Sequence, residues 1–489
     1  MPYLLSQKGV FMKKTLVFLL IFTIGSVLFA QQGLEYEIVD GRSVTITGYT
    51  GNATTLNIPE RIQSLPVTAI GRNAFSSYDS LTSVTIPSSV TSIGDYAFHA
   101  SGLTSITVDN RNPSYASIDG VLFDKNIQTL FTYPRYKNQS TYVIPSSVTS
   151  IVNAAFAGCS SLTSITIPSS VTSIGDSAFL DCDSLTNVTI PSSVTSIGGY
   201  AFVGCSSLTN VAISSSVTTI GEQAFRDCES LTNVTISSSV TSIGDSVFWG
   251  CSSLTSITVD NRNPSYASID GVLFDKNIRT LIIYPEGKTA RAYTIPSSVT
   301  SIGDGAFIDS SLTNVTIPSS VTSVGDVAFR DCSSLANVTI PSSVTAIGRG
   351  AFWDCSSLTN ITVDNRNPSY ASIDGVLFDK NIRTIIGYPQ GRNQGAYVIP
   401  SSVTTIGESA FQGCRSLTSI IIPSSVTSMK DWAFAGCRSL TSVTIPSSIT
   451  SIVGSMFAGC SSLTNITLSR RTRVGEGTFP ETARIIYRD

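Results

Sequence analysis

The sequence predicts an α/β repeat solenoid, and two features lead to this prediction. The first is a fixed step of 23 residues along the longest uninterrupted run of copies, marked by Phe156, Phe179, Phe202, Phe225 and Phe248. The second is a change of apolar spacing within each copy, from every second residue to every third or fourth. A repeat of about 20 to 29 residues is typical of units that stack into one elongated body.

The first part of each copy is predicted to be a strand. In the copy that begins at residue 162, Ile165 and Ile167 alternate with polar residues, which is the spacing of a half-buried strand. Pro168 has no backbone amide to donate, so it predicts the end of the strand and a turn. Val171 and Ile174 then predict a second, shorter extended piece that returns toward the core.

The last part of each copy has helical spacing. Ala178, Cys182 and Leu185 stand at i, i+4 and i+7 with Phe179 beside them, and Asp176 precedes them where a helix N-cap would lie. We therefore expect short helices opposite one long sheet, in a single curved and right-handed solenoid. Each apolar side chain is covered only by the copies above and below it, so the repeat forms a core.

Three longer gaps interrupt the repeat, and each contains a related insert, near 108–142, 259–293 and 363–397. The first contains Asp119-Gly120 between two apolar runs, which is a strong hairpin signal. Each insert is predicted to be an extra rung with a projecting hairpin. The inserts also bring regularly placed tyrosines, which we expect to be exposed: Tyr115, Tyr133, Tyr142, Tyr266, Tyr284, Tyr293, Tyr370, Tyr388 and Tyr397.

The chain is predicted to have four parts. Residues 1–30 contain a basic segment, an apolar run and a small residue, which predict a secretory signal peptide whose true start is Met1 or Met12. Residues 31–75 are expected to be an N-terminal cap and first rung, 76–468 the solenoid with its inserts, and 469–489 a C-terminal cap. The protein is therefore expected to be exported, with membrane contact only through an uncleaved signal anchor.

The repeat unit Ile-Pro-Ser-Ser-Val-Thr-Ser-Ile-Gly-Asp-x-Ala-Phe-x-x-Cys-x-Ser-Leu and the insert motif Asn-Pro-x-Tyr-x-Ser-x-Asp-Gly-Val-Leu-Phe resemble the BspA-type leucine-rich repeats. The resemblance covers about residues 35 to 468. It implies a leucine-rich-repeat solenoid and a surface or secreted adhesin of a host-associated bacterium, since some proteins of this family bind fibronectin or fibrinogen. No ligand residue of the family can be carried over to this sequence.

Composition and motifs argue against other kinds of function. Charged residues make up 13% of the chain and the formal net charge is −3, so no basic field is available for nucleic acid. The single histidine, His99, has no partner nearby in sequence, and the serines lack a general base. The segment from Asp109 to Pro113 fails the spacing of an EF-hand calcium loop and is interpreted as a turn. We expect no catalytic residue, no metal, no cofactor and no small-molecule substrate.

The ten cysteines all occupy one position of the repeat, where we expect buried free thiols rather than disulfides or zinc ligands. They are Cys159, Cys182, Cys205, Cys228, Cys251, Cys332, Cys355, Cys414, Cys437 and Cys460.

The predicted function is therefore that of an exported, non-enzymatic binding protein, an adhesin by resemblance. Its expected partner is a protein, either a host matrix protein or another cell surface. The alternative is a structural surface-layer or spacer protein without a specific ligand. The nine insert tyrosines are the predicted ligand contacts, because tyrosine offers apolar area with a polar tip. Two alternatives remain for the site: the tyrosines pack the hairpins onto the solenoid, or the polar strand face is the binding platform.

Overall fold

The computed structural model describes residues 33–452, 454–481 and 483–488, so the predicted signal peptide lies outside the described residues. The chain forms a solenoid of rungs about 23 residues long, which confirms that part of the prediction. The predicted α/β class with short helices is wrong. Throughout the described ranges the elements are strands joined by turns, with no α-helix and therefore no helical segment suited to crossing a membrane.

The first extended piece of each rung forms what we call the front strands, which pair in parallel with the same piece of the next rung. In the rung of Phe179, Ser164–Thr166 alternates exposed, buried and exposed, because Ile165 points into the core. The front strands are Thr55–Asn57, Ser83–Ile86, Ser105–Val108, Thr141–Val143, Ser164–Thr166, Asn187–Thr189, Asn210–Ala212, Asn233–Ile236, Ser256–Val259, Ala292–Thr294, Asn314–Thr316, Asn337–Ile340, Asn360–Val363, Ala396–Val398, Ser419–Ile421, Ser442–Thr444, Asn465–Ser469 and Arg484–Arg488.

The second extended piece is only two residues long in each rung and forms the side strands. They follow a proline or serine turn, such as the one closed by the amide of Val171 and the carbonyl of Pro168 at 3.1 Å. The side strands are Ser92–Ile93, Ser150–Ile151, Ser173–Ile174, Ser196–Ile197, Thr219–Ile220, Ser242–Ile243, Ser301–Ile302, Ser323–Val324, Ala346–Ile347, Thr405–Ile406, Ser428–Met429, Ser451–Ile452 and Arg473–Val474.

The segment predicted as a helix is a run of tight turns, so Asp176 caps no helix. In this rung the backbone of Ser177 and Asp181 is left-handed, with φ of 55° and 54°, which an α-helix does not allow. The amides of Ser177, Phe179 and Asp181 donate to carbonyls of the next rung at 2.7 to 2.9 Å. We call these three donors the amide row. They bond along the stack instead of along a helix, because the turns aim every second amide at the next rung.

The core confirms which side chains point inward. Ala178, Phe179, Cys182 and Leu185 are all fully buried. The phenylalanine rings stack from rung to rung, with centroids 5.0 Å apart between Phe179 and Phe202. All ten cysteines are free and buried, as predicted. The thiol of Cys182, for example, lies 3.1 Å from the carbonyl oxygen of Phe156 in the preceding rung.

Each insert folds into three antiparallel strands, and the turn of the first hairpin lies at Asp119 and Gly120, both with positive φ. The prediction that this hairpin projects from the solenoid is wrong, because Val121, Leu122 and Phe123 are fully buried. The insert strands are Tyr115–Ile118, Val121–Asp124, Thr129–Thr132, Tyr266–Ile269, Val272–Asp275, Thr280–Ile283, Tyr370–Ile373, Val376–Asp379 and Thr384–Gly387.

The middle strand of each insert separates two hydrophobic cores and contributes side chains to both. Leu122 packs into the core on the N-terminal side, whereas Val121 and Phe123 pack into the core on the C-terminal side. Leu273 and Leu377 are placed in the same way in the other two inserts. The described residues therefore form four successive cores. The prediction of one long sheet is also wrong, since the front strands form separate sheets of three, six, four and five strands.

The two ends of the described chain are covered by strands outside the repeat. The N-terminal strands are Leu34–Val39, Ser43–Tyr49, Arg61–Ile62 and Leu65–Ile70, and the first two form an antiparallel pair. At the other end, Arg484–Arg488 pairs in parallel with Asn465–Ser469 and extends the last front sheet.

Candidate functional site: the insert junctions

A buried asparagine fastens each insert to the rung before it. The Nδ2 of Asn112 donates to the carbonyls of Pro87 and Val90, both at 2.8 Å, and its Oδ1 accepts the amides of Ser114 and Tyr115 at 2.9 and 2.8 Å. Asn263 and Asn367 make the same four bonds in the other inserts. The asparagine is fully buried in all three places. This explains the repeated Asn-Pro-Ser-Tyr motif as a structural anchor.

The aspartate of the same motif is occupied by its own arginine. Asp109 accepts hydrogen bonds from the backbone amide of Arg111 at 2.9 Å and from its guanidinium at 2.7 Å. The Arg111 side chain and amide lower the pKa of Asp109 to about 2. Within the described ranges no group of three or more histidine, cysteine or acidic side chains is arranged to hold a metal ion. The segment is a turn, in line with its interpretation from the sequence.

The first tyrosine of each insert makes a structural hydrogen bond. The hydroxyl of Tyr115 accepts the backbone amide of Ile93, on the rung before the insert, at 2.9 Å. Tyr266 and Tyr370 accept the amides of Ile243 and Ile347 at 3.0 and 2.9 Å. These three hydroxyls link the insert to the last side strand of the preceding section.

The other six tyrosines form edge-on or tilted pairs at the start of each new section. Tyr133, Tyr284 and Tyr388 take the place of the repeat phenylalanine and are buried, as is Tyr115, so the prediction that these four are exposed is wrong. Tyr133 stacks on Phe156 with a centroid distance of 5.2 Å and meets Tyr142 at 4.8 Å. Tyr142, Tyr293 and Tyr397 lie on the first front strand of each section and are half-buried. Their register partners are the inward residues Ile165, Val315 and Ile420, so these side chains point toward the core, and none of the nine tyrosines lies on the outer face of a front strand.

Each insert also leaves a cleft on the turn side of the solenoid, between the rung before it and the rung that follows. The first cleft has a volume of about 330 Å³, and Tyr96, His99 and Arg135 line it. The second has a volume of about 270 Å³ and contains Trp249 and Glu286. The third is reduced to about 50 Å³. The sequence offered no side-chain pattern that predicted these clefts.

Trp249 bridges the two sides of the second junction. Its ring contacts the guanidinium groups of Arg226 and Arg330, whose central carbons lie 4.2 and 5.3 Å from the ring centroid. Its Nε1 donates to the Oδ2 of Asp309, two rungs further on, at 3.2 Å. Cation–π contacts of this kind stabilise by about 0.5 to 1 kcal/mol at exposed sites.

Glu286 is half-buried and lines the same cleft as Trp249. Its Oε1 accepts the amide of Gly250 at 2.7 Å. Burial raises the pKa of Glu286 to about 8, and the carboxylates of Asp309 and Asp227 raise it as well, although the Gly250 bond opposes them. A carboxyl group whose pKa is raised on folding stabilises the fold below its unfolded pKa, and this stabilisation is lost as the pH rises through the folded pKa.

The Glu286→Gln variant is therefore expected to match the parent near pH 4.5 and to exceed its unfolding free energy by about 2 to 4 kcal/mol near pH 9. Glutamine keeps an acceptor for the Gly250 amide but carries no charge to bury. Urea unfolding of both proteins across this pH range measures the difference. The control is Glu229→Gln at an exposed position, whose difference from the parent should not grow with pH. A difference that stays flat for Glu286→Gln would contradict the prediction.

His99 lies on the wall of the first cleft, and its ring meets Tyr96 edge-on at 5.7 Å. Burial lowers the pKa of His99, the positive charge of Arg135 lowers it further, and Asp181 opposes them. The Nε of Arg135 donates to the carbonyl of Gly158 at 3.3 Å. The first cleft thus contains a cation and an imidazole where the second contains a carboxyl group.

The front face carries columns of small polar residues. The hydroxyl of Thr186 donates to the carbonyl of Thr163 at 3.2 Å, a bond between rungs that recurs along the face. Large exposed apolar residues on the front strands are few among the described residues. Val398 and Ile421 are 62% and 61% exposed and are register partners on neighbouring strands, whereas Val143 is 69% exposed beside a threonine. The fourth section thus presents a paired apolar patch.

Comparison with known proteins gives one family match and several solved structures. A family model described as the BspA type leucine rich repeat region matches residues 48–134, 128–255, 286–386 and 390–487, in six copies. No curated protein matches the chain.

Among solved structures, a leucine rich cell surface protein from Faecalibacterium prausnitzii is 32% identical, with 90% of this chain and 94% of that chain covered and a TM-score of 0.44. A leucine-rich repeat protein from Eubacterium ventriosum is 25% identical, with coverage of 88% and 94% and a TM-score of 0.41. The pneumococcal vaccine antigen PcpA is 21% identical, with coverage of 95% and 94% and a TM-score of 0.36.

Proposed function

Because the chain belongs to the BspA-type leucine-rich repeat family, we propose that it is an exported, non-enzymatic surface protein that binds a protein ligand. The proposed ligand is a host matrix protein or a protein of another cell surface, which makes the protein an adhesin. The observation that carries the proposal is the front face, where aligned columns of exposed side chains run along each section. Such a regular surface suits a large ligand that contacts several rungs.

The proposed ligand contact is centred on the apolar patch of Val398 and Ile421, which face outward on neighbouring front strands. An exposed apolar pair in register is costly in water and gains free energy when a partner covers it. The nine insert tyrosines, predicted from the sequence as ligand contacts, instead support the front strands from behind or link the inserts to the preceding rungs.

The test is solid-phase binding of residues 31–489 to fibronectin, fibrinogen and whole cells. We expect the double variant Val398→Ser and Ile421→Ser to lose at least fivefold in affinity, because serine removes the apolar contact and matches the rest of the column. Val143→Ser is the matched control, since it removes an equally exposed but isolated valine, and its binding should stay near that of the parent.

Two other results of this binding experiment would contradict the proposed contact or the proposed function. Binding that survives the double variant unchanged would move the contact to another part of the front face. No binding of the parent to any of these surfaces would favour the structural spacer instead. Removal of the insert hairpins is not a suitable test, because their middle strands separate two cores and their loss would unfold the neighbouring rungs.

A further inference from the structure

The amide row is paired in eight rungs that are followed directly by another, where all three amides donate to backbone carbonyls of the next rung. In the rung of Phe434 the amides of Phe434 and Gly436 do so. The rungs with a complete row are those of Phe75, Phe156, Phe179, Phe202, Phe225, Phe307, Phe329 and Phe411. Buried or half-buried amides need an acceptor, and the stacking of the rungs normally supplies it.

An insert removes that acceptor from the rung before it. In the first junction, the amides of Tyr96, Phe98 and Ala100 form the row, and none of them has a hydrogen-bond acceptor among the residues that the structure describes. All three residues line the first cleft. In paired rungs these three amides donate in parallel to three separate carbonyls, so here they line the cleft with backbone donors of the kind that bind anions. The row is therefore a set of unused donors at the wall of an open cavity.

The second junction shows which group fits such a row. There the row consists of Ser246, Phe248 and Gly250, and the Oε1 of Glu286 accepts the Gly250 amide at 2.7 Å. A carboxyl group of the same chain thus occupies one end of the row. Glu286 follows the Tyr284-Pro285 pair, and the residue at the same place in the first insert is Arg135. The first cleft therefore has the donors of the second without the internal carboxyl group.

The charges around the first row also favour an anion. The acidic neighbours of Glu286 in the second junction are Asp227 and Asp309. Their counterparts in the first junction, by the same row position, are Ser77 and Gly158, whose amides donate to the next rungs at 3.0 and 2.6 Å. Arg135 adds a positive charge to the lining of the cleft. Asp95 lines the first cleft as Asp245 lines the second, so the clefts differ in Asp227 and Asp309, and a carboxylate in the first cleft would avoid the repulsion of those two groups.

The third junction is closed by a side chain. Its row consists of Gly350, Phe352 and Asp354, and none of these amides has an acceptor among the described residues. The ring of Trp353 folds over Gly350, so closely that a Cβ there would lie 2.4 Å from it. The remaining cleft is only about 50 Å³. Of the three rows, only the first is both unpaired and open.

We propose that the first junction cleft is a carboxylate-binding site, which takes an acidic side chain of a protein ligand on the amides of Tyr96, Phe98 and Ala100, with Arg135 as the counter-charge. It rests on these contacts and does not require the front-face patch to bind. A site of this kind, used together with the front face, would add specificity for acidic segments to a broad contact surface.

The test uses His99, which is the single histidine of the chain and lies in the wall of this cleft. With ¹³C-labelled histidine, the imidazole gives one NMR signal that reports on the site. We expect acetyl-Glu-NH₂, in a phosphate-free buffer, to shift this signal saturably. Acetyl-Gln-NH₂ at equal ionic strength differs only in the side-chain charge and should leave the signal unchanged.

Two variants test whether acetyl-Glu-NH₂ binds at the amide row. Arg135→Glu copies the second junction and places an internal carboxylate at the row, so binding should weaken at least tenfold. Arg135→Gln copies the third insert, removes the charge without supplying a competitor, and should weaken binding less. Thermal melts check that both variants fold. Equal shifts with the two peptides would overturn the proposal, and so would equal binding by the Gln and Glu variants.

Discussion

Replacing Phe225 with alanine is expected to lower the free energy of unfolding by about 3 to 5 kcal/mol. Phe225 is 1% exposed and lies between Phe202 and Phe248, with ring centroids 5.3 and 5.8 Å away. The cavity cannot collapse easily, because the amide row fixes the spacing of the rungs above and below it. Urea unfolding followed by circular dichroism measures the loss.

Tyr200→Ala is the matched control for this prediction. Tyr200 is an aromatic residue of the preceding rung that is 39% exposed, and its hydroxyl donates to the Oε1 of Glu222 at 3.0 Å. Its removal should cost well under half as much, since little apolar area leaves the core. If the Phe225 variant unfolded at the same urea concentration as the Tyr200 variant, the stacked rings would not be what stabilises the second section.

The repeat and the identity of the core were predictable because they depend on side-chain chemistry that each copy shows again. The fixed step of the phenylalanines gave the rung length, and the alternation of Ile165 and Ile167 with polar residues gave the inward face of the front strand. Pro168 marked the end of that strand for a simple reason, the lack of an amide. An assignment that is ambiguous in one copy can be checked against the same position in the other copies, which makes a repeat easier to interpret than a single domain.

The helix prediction failed because apolar spacing alone does not distinguish a helix from a run of tight turns. Ala178, Cys182 and Leu185 point inward in either case. A signal for turns was present at the position before the cysteine, which is occupied by Gly158, Asp181 and equivalent glycines or aspartates. These residues tolerate left-handed backbone, and Asp181 has a φ of 54°. Left-handed backbone at this position, and again four residues earlier at Ser177, excludes a continuous helix.

The candidate sites were less predictable because they arise from what an insert does to its neighbours. The run Val121-Leu122-Phe123 is apolar without alternation, which indicates a strand buried on both faces rather than a projecting hairpin. That signal was available in the sequence. The unpaired amide row was not, since backbone donors leave no trace in the residue types of the rung to which they belong. Only the geometry of the junction shows that their acceptors are missing.

The second large effect is expected from Asn263→Ala, which should destabilise the protein by about 3 to 5 kcal/mol. The Nδ2 of Asn263 donates to the carbonyls of Ser237 and Val240 at 2.7 and 2.9 Å, and its Oδ1 accepts the amides of Ser265 and Tyr266, both at 2.8 Å. Alanine removes both functional groups, so the two carbonyls lose their donor and the two amides lose their acceptor. The cost is large because the side chain is completely buried.

Asn261→Ala is the control, because this exposed asparagine belongs to the same turn and carries none of the four bonds. It should change the unfolding free energy by less than about 0.5 kcal/mol. Hydrogen exchange gives a second measurement: in the Asn263 variant, the amides of residues 263–275 should exchange faster than those of the rungs on either side. If exchange rose evenly along the whole solenoid, the asparagine would stabilise the stack as a whole, and the insert would not be a separately anchored unit.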